Sequence, residues 1–188
     1  LTPMAYHMAL LAGDKEDYNI CLPSPFPREN LCLLVASNIS NRYKDRETTY
    51  LDIVNYIENF ASAKKGNYFV FFPSYVYMKN VYELLLERNK DLNIMIQESN
   101  MTELEREKFL HSFELEDDII AFAVMGGIFS EGIDLVGDKL IGAVIIGVGL
   151  PQICFERDII KDYFEHHLGE GFEYAYVYPG INKVLQAA

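Results

Sequence analysis

Short apolar runs, separated by longer stretches with helical periodicity, constrain this chain more than any other feature. The clearest runs are 68–72 (YFVFF) and 119–124 (IIAFAV), and no charged or amide residue interrupts them. A strand without polar alternation is buried on both faces, and strands that alternate with helices are joined by parallel crossovers. The sequence therefore predicts an α/β fold, a doubly wound and mainly parallel sheet flanked by helices.

The same criteria predict the other elements, with five or six strands in total. The predicted strands are 31–36, 68–72, 92–97, 119–124, 141–149 and 174–178. Helices are predicted over 1–12, from Thr49 to Gly66, after Ser74, from Thr102 to about Glu114 and from about Gln152 to His167. Thr49 with Asp52 and Thr102 with Glu105 resemble capping pairs. The loops to inspect follow the strands, because ligands in such folds bind beyond the carboxyl ends.

Charge and cysteine content exclude several classes of protein. The net charge of -12, from 28 acidic and 16 basic residues, argues against tight nucleic-acid binding by this chain alone. It does not exclude a domain that forms one wall of a shared groove. The three cysteines, Cys21, Cys32 and Cys154, are far apart and contain no CxxC, which indicates a reducing, cytoplasmic compartment and no zinc site. No apolar run reaches the roughly 20 residues that span a bilayer.

The loop after strand 119–124 carries the most chemistry. Residues 126–137 (GGIFSEGIDLVG) contain four glycines, Ser130, and the carboxylates Glu131 and Asp134. Glycines let backbone N–H groups approach a phosphate or sugar closely, and a carboxylate at a fixed position can bind a ribose or a metal-bound water. On composition alone, the alternative of a glycine-rich turn with solvated acids is favoured.

Two further segments suit phosphate or base contacts, each with an ordinary alternative. Ser74 opens a helix after a strand, where free N–H groups and the helix dipole attract a phosphate, and Tyr75 beside it can stack on a base. The alternative is a serine N-cap and a tyrosine that covers the core. Residues 42–46 (RYKDR) interleave bases with an aromatic ring, or form a solvated loop.

Three common catalytic motifs are missing from the sequence. There is no G-x-x-x-x-G-K-[ST] loop to bind phosphates, no G-x-S-x-G and no H-E-x-x-H. His166 and His167 are adjacent on a predicted helix, so they point in different directions and are interpreted as surface residues, not metal ligands.

Taken in order, these segments resemble the C-terminal motor lobe of the XPD/DinG-type (Rad3-related) ATP-dependent DNA helicases of superfamily 2. LTPM at 1–4 is similar to the end of motif III, 68–75 to motif IV, 126–137 to motif V and 186–188 to the start of motif VI. LPSPFPRENL and RYKDRE resemble the same lobe. The resemblance covers all 188 residues as a single RecA-like domain, and the long FSEGIDL loop favours the bacterial DinG-like branch.

The resemblance implies roles for individual residues. The residues expected at the nucleotide are Glu131, Gly132, Asp134 and Gln186, with Glu131 coupling that site to DNA. The residues expected toward single-stranded DNA are Ser74, Tyr75, Gly126, Gly127, Ser130 and Arg42. No metal ligand and no complete catalytic set is expected in this chain.

The resemblance also implies cofactors and partners. ATP and Mg²⁺ would be shared with an N-terminal lobe that carries the phosphate-binding loop, and the motor would move 5′ to 3′ on single-stranded or forked DNA. An iron–sulfur cluster, which many members carry, would belong to that other part, because the three cysteines here do not match it. Leu1 at the start and the missing motif VI arginines indicate a piece of a longer protein, which is expected to be inactive alone.

Two other classes of function stay open from the sequence. One is a stand-alone α/β nucleotide-binding domain that uses the glycine-rich loop, and the other is a protein-interaction domain. The affinity of the isolated chain for nucleotides distinguishes the first class from a helicase lobe, because a helicase lobe alone is expected to bind nucleotides very weakly. Capture of a protein partner that survives DNA removal would favour the second.

Overall fold

Four parallel strands form the centre of the domain. In the computed structural model, which describes residues 2–14, 16–25, 27–130, 133 and 135–188, the strands are β1 (Tyr68–Phe72), β2 (Asn93–Ile96), β3 (Ile119–Val124) and β4 (Gly142–Ile145). Within those residues they make one sheet in the order β2-β3-β1-β4. Val70 of β1 lies opposite Phe122 of β3 and Val144 of β4. The prediction of a doubly wound parallel sheet is confirmed.

Helices cover both faces of this sheet. The helices are α1 (Met4–Leu10), α2 (Arg46–Ala63), α3 (Tyr75–Arg88), α4 (Glu103–Leu115), α5 (Phe155–Leu168) and α6 (Tyr178–Ala187). Successive side chains of a strand point to opposite faces. Val70 and Phe72 therefore pack with α2 and α3, whereas Phe69 and Phe71 pack with α4 on the other face. A smaller aromatic cluster joins α1, α5 and the segment before α6 through Tyr6, Phe164 and Tyr174.

The helix starts follow the predicted caps in two of three cases. Ser74 caps α3 by accepting a hydrogen bond from the Tyr77 N–H, and Thr102 with Glu105 forms a reciprocal capping box at α4. The prediction that Thr49 caps the second helix is wrong, because α2 begins at Arg46. The Thr49 hydroxyl instead donates to the Ser40 carbonyl, 3.0 Å away, and ties the preceding loop to the helix.

The predicted strand over 31–36 does not form. Leu33 and Val35 are 76% and 80% exposed, and a groove of about 500 Å³ lies between this segment and the edge strand β4. An apolar run becomes a strand only when a neighbouring strand supplies hydrogen bonds, and hydrophobicity alone cannot show that pairing. The predicted strand over 141–149 is also shorter than expected. It ends at Ile145, and the chain turns at Gly147, whose φ is +74°.

The predicted strand over 174–178 is also wrong. Residues Glu173–Val177 form a π-helical turn that continues directly into α6. The alternating YAYVY pattern is typical of a strand, yet here Tyr174 packs on Tyr6 and stacks on Phe164 with a centroid distance of 4.1 Å. Packing between α1 and α5 therefore overrides the local strand preference.

A buried amide joins the amino ends of the strands. Asn67 is 1% exposed, and its Nδ2 donates to the carbonyls of Glu116 and Lys139 at 2.8 and 3.0 Å. Its Oδ1 accepts from the Ile119 N–H at 2.9 Å, and its own carbonyl accepts from Ile141 N–H at 3.0 Å. One side chain thus fixes where β1, β3 and β4 start relative to one another.

We expect Asn67→Ala to lower the free energy of unfolding by roughly 1–3 kcal/mol, because it leaves buried backbone groups without partners. Asn55→Ala, at an exposed position of α2, is the matched control and should change it by less than about 0.5 kcal/mol. Urea denaturation of the 188-residue chain measures both. Equal stability of the two variants would contradict this role for Asn67.

Candidate functional site

Three loops begin side by side at the carboxyl edge of the sheet. β1 ends at Phe72, β3 at Val124 and β4 at Ile145. Backbone bonds continue the ladder beyond the strands, from Met125 N–H to the Phe72 carbonyl at 2.8 Å and from Ile146 N–H to Phe71 at 2.9 Å. Because the strands are parallel, the candidate motif IV and motif V segments emerge at one edge, where this fold class binds ligands.

The loop after β3 opens with a tight glycine turn. Gly126 has φ +70°, and a Cβ on Gly127 would lie 2.9 Å from the Val124 carbonyl oxygen. Ser130 is 5% exposed, and its hydroxyl donates to the Gly127 carbonyl at 2.8 Å. The Ser130 side chain therefore closes this turn from inside, together with the Gly127 N–H, which donates to the Val124 carbonyl at 3.0 Å.

A buried glutamine that the sequence analysis missed links the same turn to β2 and α3. Gln97, at 1% exposure, accepts from the Val124 N–H and donates to the Tyr75 hydroxyl, both at 2.9 Å. A Cβ on Gly127 would lie 3.1 Å from its Nε2. The sequence carries one signal for this role, because Gln97 is an amide residue at the carboxyl end of a strand that is predicted to be buried.

The candidate motif IV residues both have structural partners. Ser74 Oγ accepts from Tyr77 N–H at 3.3 Å, and the Tyr75 hydroxyl is held by Gln97. Burial raises the pKa of Tyr75, and the nearby Glu98 carboxylate raises it further. The phenol therefore stays protonated at neutral pH. Tyr75 is half-buried and packs partly against the core on the α2 and α3 face of the sheet.

The basic loop before α2 reaches the same edge. A Cβ on Gly147, after β4, would lie 3.0 Å from Asn41 Cγ, and the exposed Arg42 follows directly. Arg46, by contrast, is packed, because its guanidinium lies over the Tyr77 ring at 4.6 Å from the centroid. Of these two arginines, Arg42 is the one exposed to solvent.

Of the four residues that the sequence predicts at the nucleotide, the structure describes one. Gln186 is exposed on α6. Glu131, Gly132 and Asp134 lie outside the described residues. Ile133 and Leu135 pack against the cluster on the α4 face of the sheet.

The described residues at this edge offer donors of the kind that bind a phosphate or sugar. Backbone amides and glycines are present, and within the described residues no group of three or more His, Cys, Asp or Glu side chains is arranged to hold a metal. The three cysteines are exposed thiols. No helix in the described part of the chain is long and apolar enough to cross a membrane.

The chain is therefore an α/β domain of the doubly wound class. Its candidate ligand site is the carboxyl edge of the sheet, where the loops after β1, β3 and β4 begin; we call this the ligand edge. The helicase C-terminal domain family matches residues 57–188. A probable ATP-dependent helicase of Methanocaldococcus jannaschii is 29% identical over 170 residues, which cover 84% of this chain and 25% of that protein. The chain belongs to the helicase C-terminal domain family.

Solved structures confirm the RecA-like fold. A structure of XPD helicase matches with a TM-score of 0.62 and 19% identity, covering 80% of this chain and 27% of that chain. An XPD structure in the apo state matches with a TM-score of 0.63 and 19% identity, covering 79% and 30%. The chain therefore spans about a quarter to a third of the length of these relatives.

We expect Gln97 and Tyr75 to be energetically coupled. Gln97→Ala should destabilise the chain by roughly 1–3 kcal/mol and Tyr75→Phe by about 0.5–1.5 kcal/mol, because each removes a partner of a buried polar group. In a double-mutant cycle their coupling should exceed about 0.5 kcal/mol.

The matched control pairs Gln97→Ala with Tyr56→Phe, whose hydroxyl bonds to Asn38 on another part of the surface. That pair should be additive, since the two side chains share no partner. Additivity of Gln97→Ala with Tyr75→Phe would show that their hydrogen bond contributes nothing.

Proposed function

We propose that this chain is the C-terminal lobe of an ATP-dependent DNA helicase and closes over ATP bound mainly by an N-terminal lobe. The family match over residues 57–188 carries this proposal. We divide the chain as one lobe over 1–188, with the end of motif III at 1–4, motif IV at 68–75, motif V at 126–137 and the start of motif VI at 186–188. The loops of motifs IV and V begin at the same edge, as a shared ligand site requires.

On the nucleotide side, we propose that Gly132 and Asp134 face the nucleotide, with Glu131 linking it to the DNA site and Gln186 approaching from α6. Mg²⁺-bound ATP would supply the energy that favours the closed arrangement of two lobes. The resemblance of 126–137 to motif V supports this proposal, and within that segment Ile133 and Leu135 pack against the core.

On the DNA side, we propose contacts from Ser74, Tyr75, Gly126, Gly127, Ser130 and Arg42. The side-chain oxygens of Ser74 and Ser130 already have backbone partners, and the Gly127 N–H donates to the Val124 carbonyl, so the motif IV segment would bind through backbone N–H groups at the start of α3. Arg42 adds an exposed cation. Backbone contacts suit a motor, which must step over any base.

The finer assignments follow from the resemblance of the sequence. We propose movement 5′ to 3′ on single-stranded or forked DNA, membership of the DinG-like branch and a bacterial, intracellular setting. The three exposed, unpaired thiols suit a reducing compartment. An iron–sulfur cluster, where present, would lie outside this lobe.

Asp134→Asn in the full-length protein should lower the DNA-stimulated rate of ATP hydrolysis at least tenfold, about 1.4 kcal/mol in activation free energy, because the carboxylate at the nucleotide is lost. Asp138→Asn, in the exposed turn that follows, is the control and should keep the rate. A steady-state ATPase assay with single-stranded DNA measures both. Wild-type activity of Asp134→Asn would refute the role of Asp134, and turnover by the isolated chain would refute the lobe assignment.

Tyr75→Ala should weaken binding of single-stranded DNA by about 1–3 kcal/mol, equally for poly-dT and mixed sequences, because a stacking surface is lost. Tyr75→Phe keeps the ring and should retain affinity, although it loses the bond to Gln97. Fluorescence anisotropy on the full-length protein measures affinity, and melting temperature reports folding. A lower melting temperature with unchanged affinity for Tyr75→Ala would assign this residue to the core alone.

A further inference from the structure

A lysine occupies an inward-facing position of α6. Gly180 is buried, and Val184 and Ala187 pack against the apolar cluster on the α4 face of the sheet, so residues one turn apart mark the inner side of the helix. Lys183 lies between them on that side and is half-buried. A lysine at such a position must bury its stem and extend its ammonium group toward a polar region.

Two glycines make room for the stem of Lys183. A Cβ on Gly126 would lie 3.1 Å from Lys183 Cε and 3.2 Å from Cδ. A Cβ on Gly149 would lie 3.6 Å from Cδ. Any side chain on Gly126 would therefore compete with the lysine for the same space, in addition to the strain of its positive φ.

The ammonium group consequently lies at the ligand edge. Gly126 follows β3 and Gly149 follows β4, and Lys183 Nζ lies 3.5 Å from the Cβ position of Gly126. Ion pairs in the described residues engage Lys65 and Lys139, whereas none of them includes Lys183. Because the Gly127 N–H already donates to the Val124 carbonyl within the turn, the Lys183 ammonium group is the side-chain donor that this position offers to an anion.

We propose that Lys183 and the Gly126–Gly127 turn form a phosphate-binding position. This inference rests on the proposed function and adds a residue to its site. Lysine binds phosphate as a point charge, and Gly126 lets its stem lie against the turn so that the ammonium group is held there. The phosphate belongs to the DNA backbone or to the nucleotide, and the two sources are separated by experiment. On a chain with net charge -12, a cation at this edge is needed to offset repulsion of either ligand.

Three variants of the full-length protein test this position. Lys183→Met keeps the apolar stem and removes the charge, whereas Lys183→Arg keeps a charge. Lys108→Met, at an exposed position of α4, is the matched control for loss of one positive charge. Melting temperatures establish that each variant folds as the wild type does.

The first measurement is the affinity for single-stranded DNA between about 50 and 200 mM salt, where each phosphate contact contributes about 0.7 to the slope of log affinity against log salt. The second is the KM for ATP at saturating DNA. A DNA-backbone contact makes the slope of Lys183→Met shallower by about 0.7, with recovery in Lys183→Arg. A nucleotide contact leaves the slope unchanged and raises the KM for ATP severalfold, again with recovery in Lys183→Arg.

Lys108→Met should match the wild type in both measurements. Unchanged slope and unchanged KM in Lys183→Met overturn the phosphate site while the helicase assignment stands. A changed slope or KM in Lys183→Met, together with a lower melting temperature and no recovery in Lys183→Arg, would assign Lys183 to packing. That result also overturns the phosphate site. A wild-type protein without DNA-stimulated ATP hydrolysis overturns the proposed function itself.

Discussion

The parallel pairing of β1 with β3 and β4 governs how the other elements of this domain are arranged. It requires both faces of β1 to be covered, and it brings the carboxyl ends of the strands to one edge. Two buried amides hold this arrangement from opposite ends, Asn67 at the amino ends and Gln97 at the carboxyl ends. Each satisfies backbone groups that the ladder leaves open, and such groups are costly when buried without partners.

The candidate site is a consequence of that register. The loops after β1, β3 and β4 lie together only because the strands are in parallel alignment, and Gln97 then connects the glycine turn to the start of α3. The α6 helix returns across the same edge, and its Lys183 stem fills the space that Gly126 and Gly149 leave. The glycines of this turn thus serve packing, because protein atoms occupy the space that a side chain would need.

Sequence reasoning succeeded for the central strands and for local capping signals. Continuous apolar runs identified β1 and β3, and the Thr102–Glu105 pair identified the start of α4, because burial and capping depend on neighbouring residues. It failed for 31–36 and for Tyr174–Tyr178. Whether an apolar run pairs with an edge, or an alternating aromatic run packs as a helix, depends on partners that are distant in the chain.

Periodicity and residue type were enough to predict the class of fold, the order of its central elements and the loop that carries the glycines and carboxylates. The folded structure was needed to learn what the polar side chains of that edge contact. It showed Ser130 turned inward, Tyr75 bonded to Gln97, and Lys183 laid across Gly126. These contacts join residues from separate strands and helices, and hydrogen bonding and packing between such residues are fixed by the folded backbone, which local patterns do not encode.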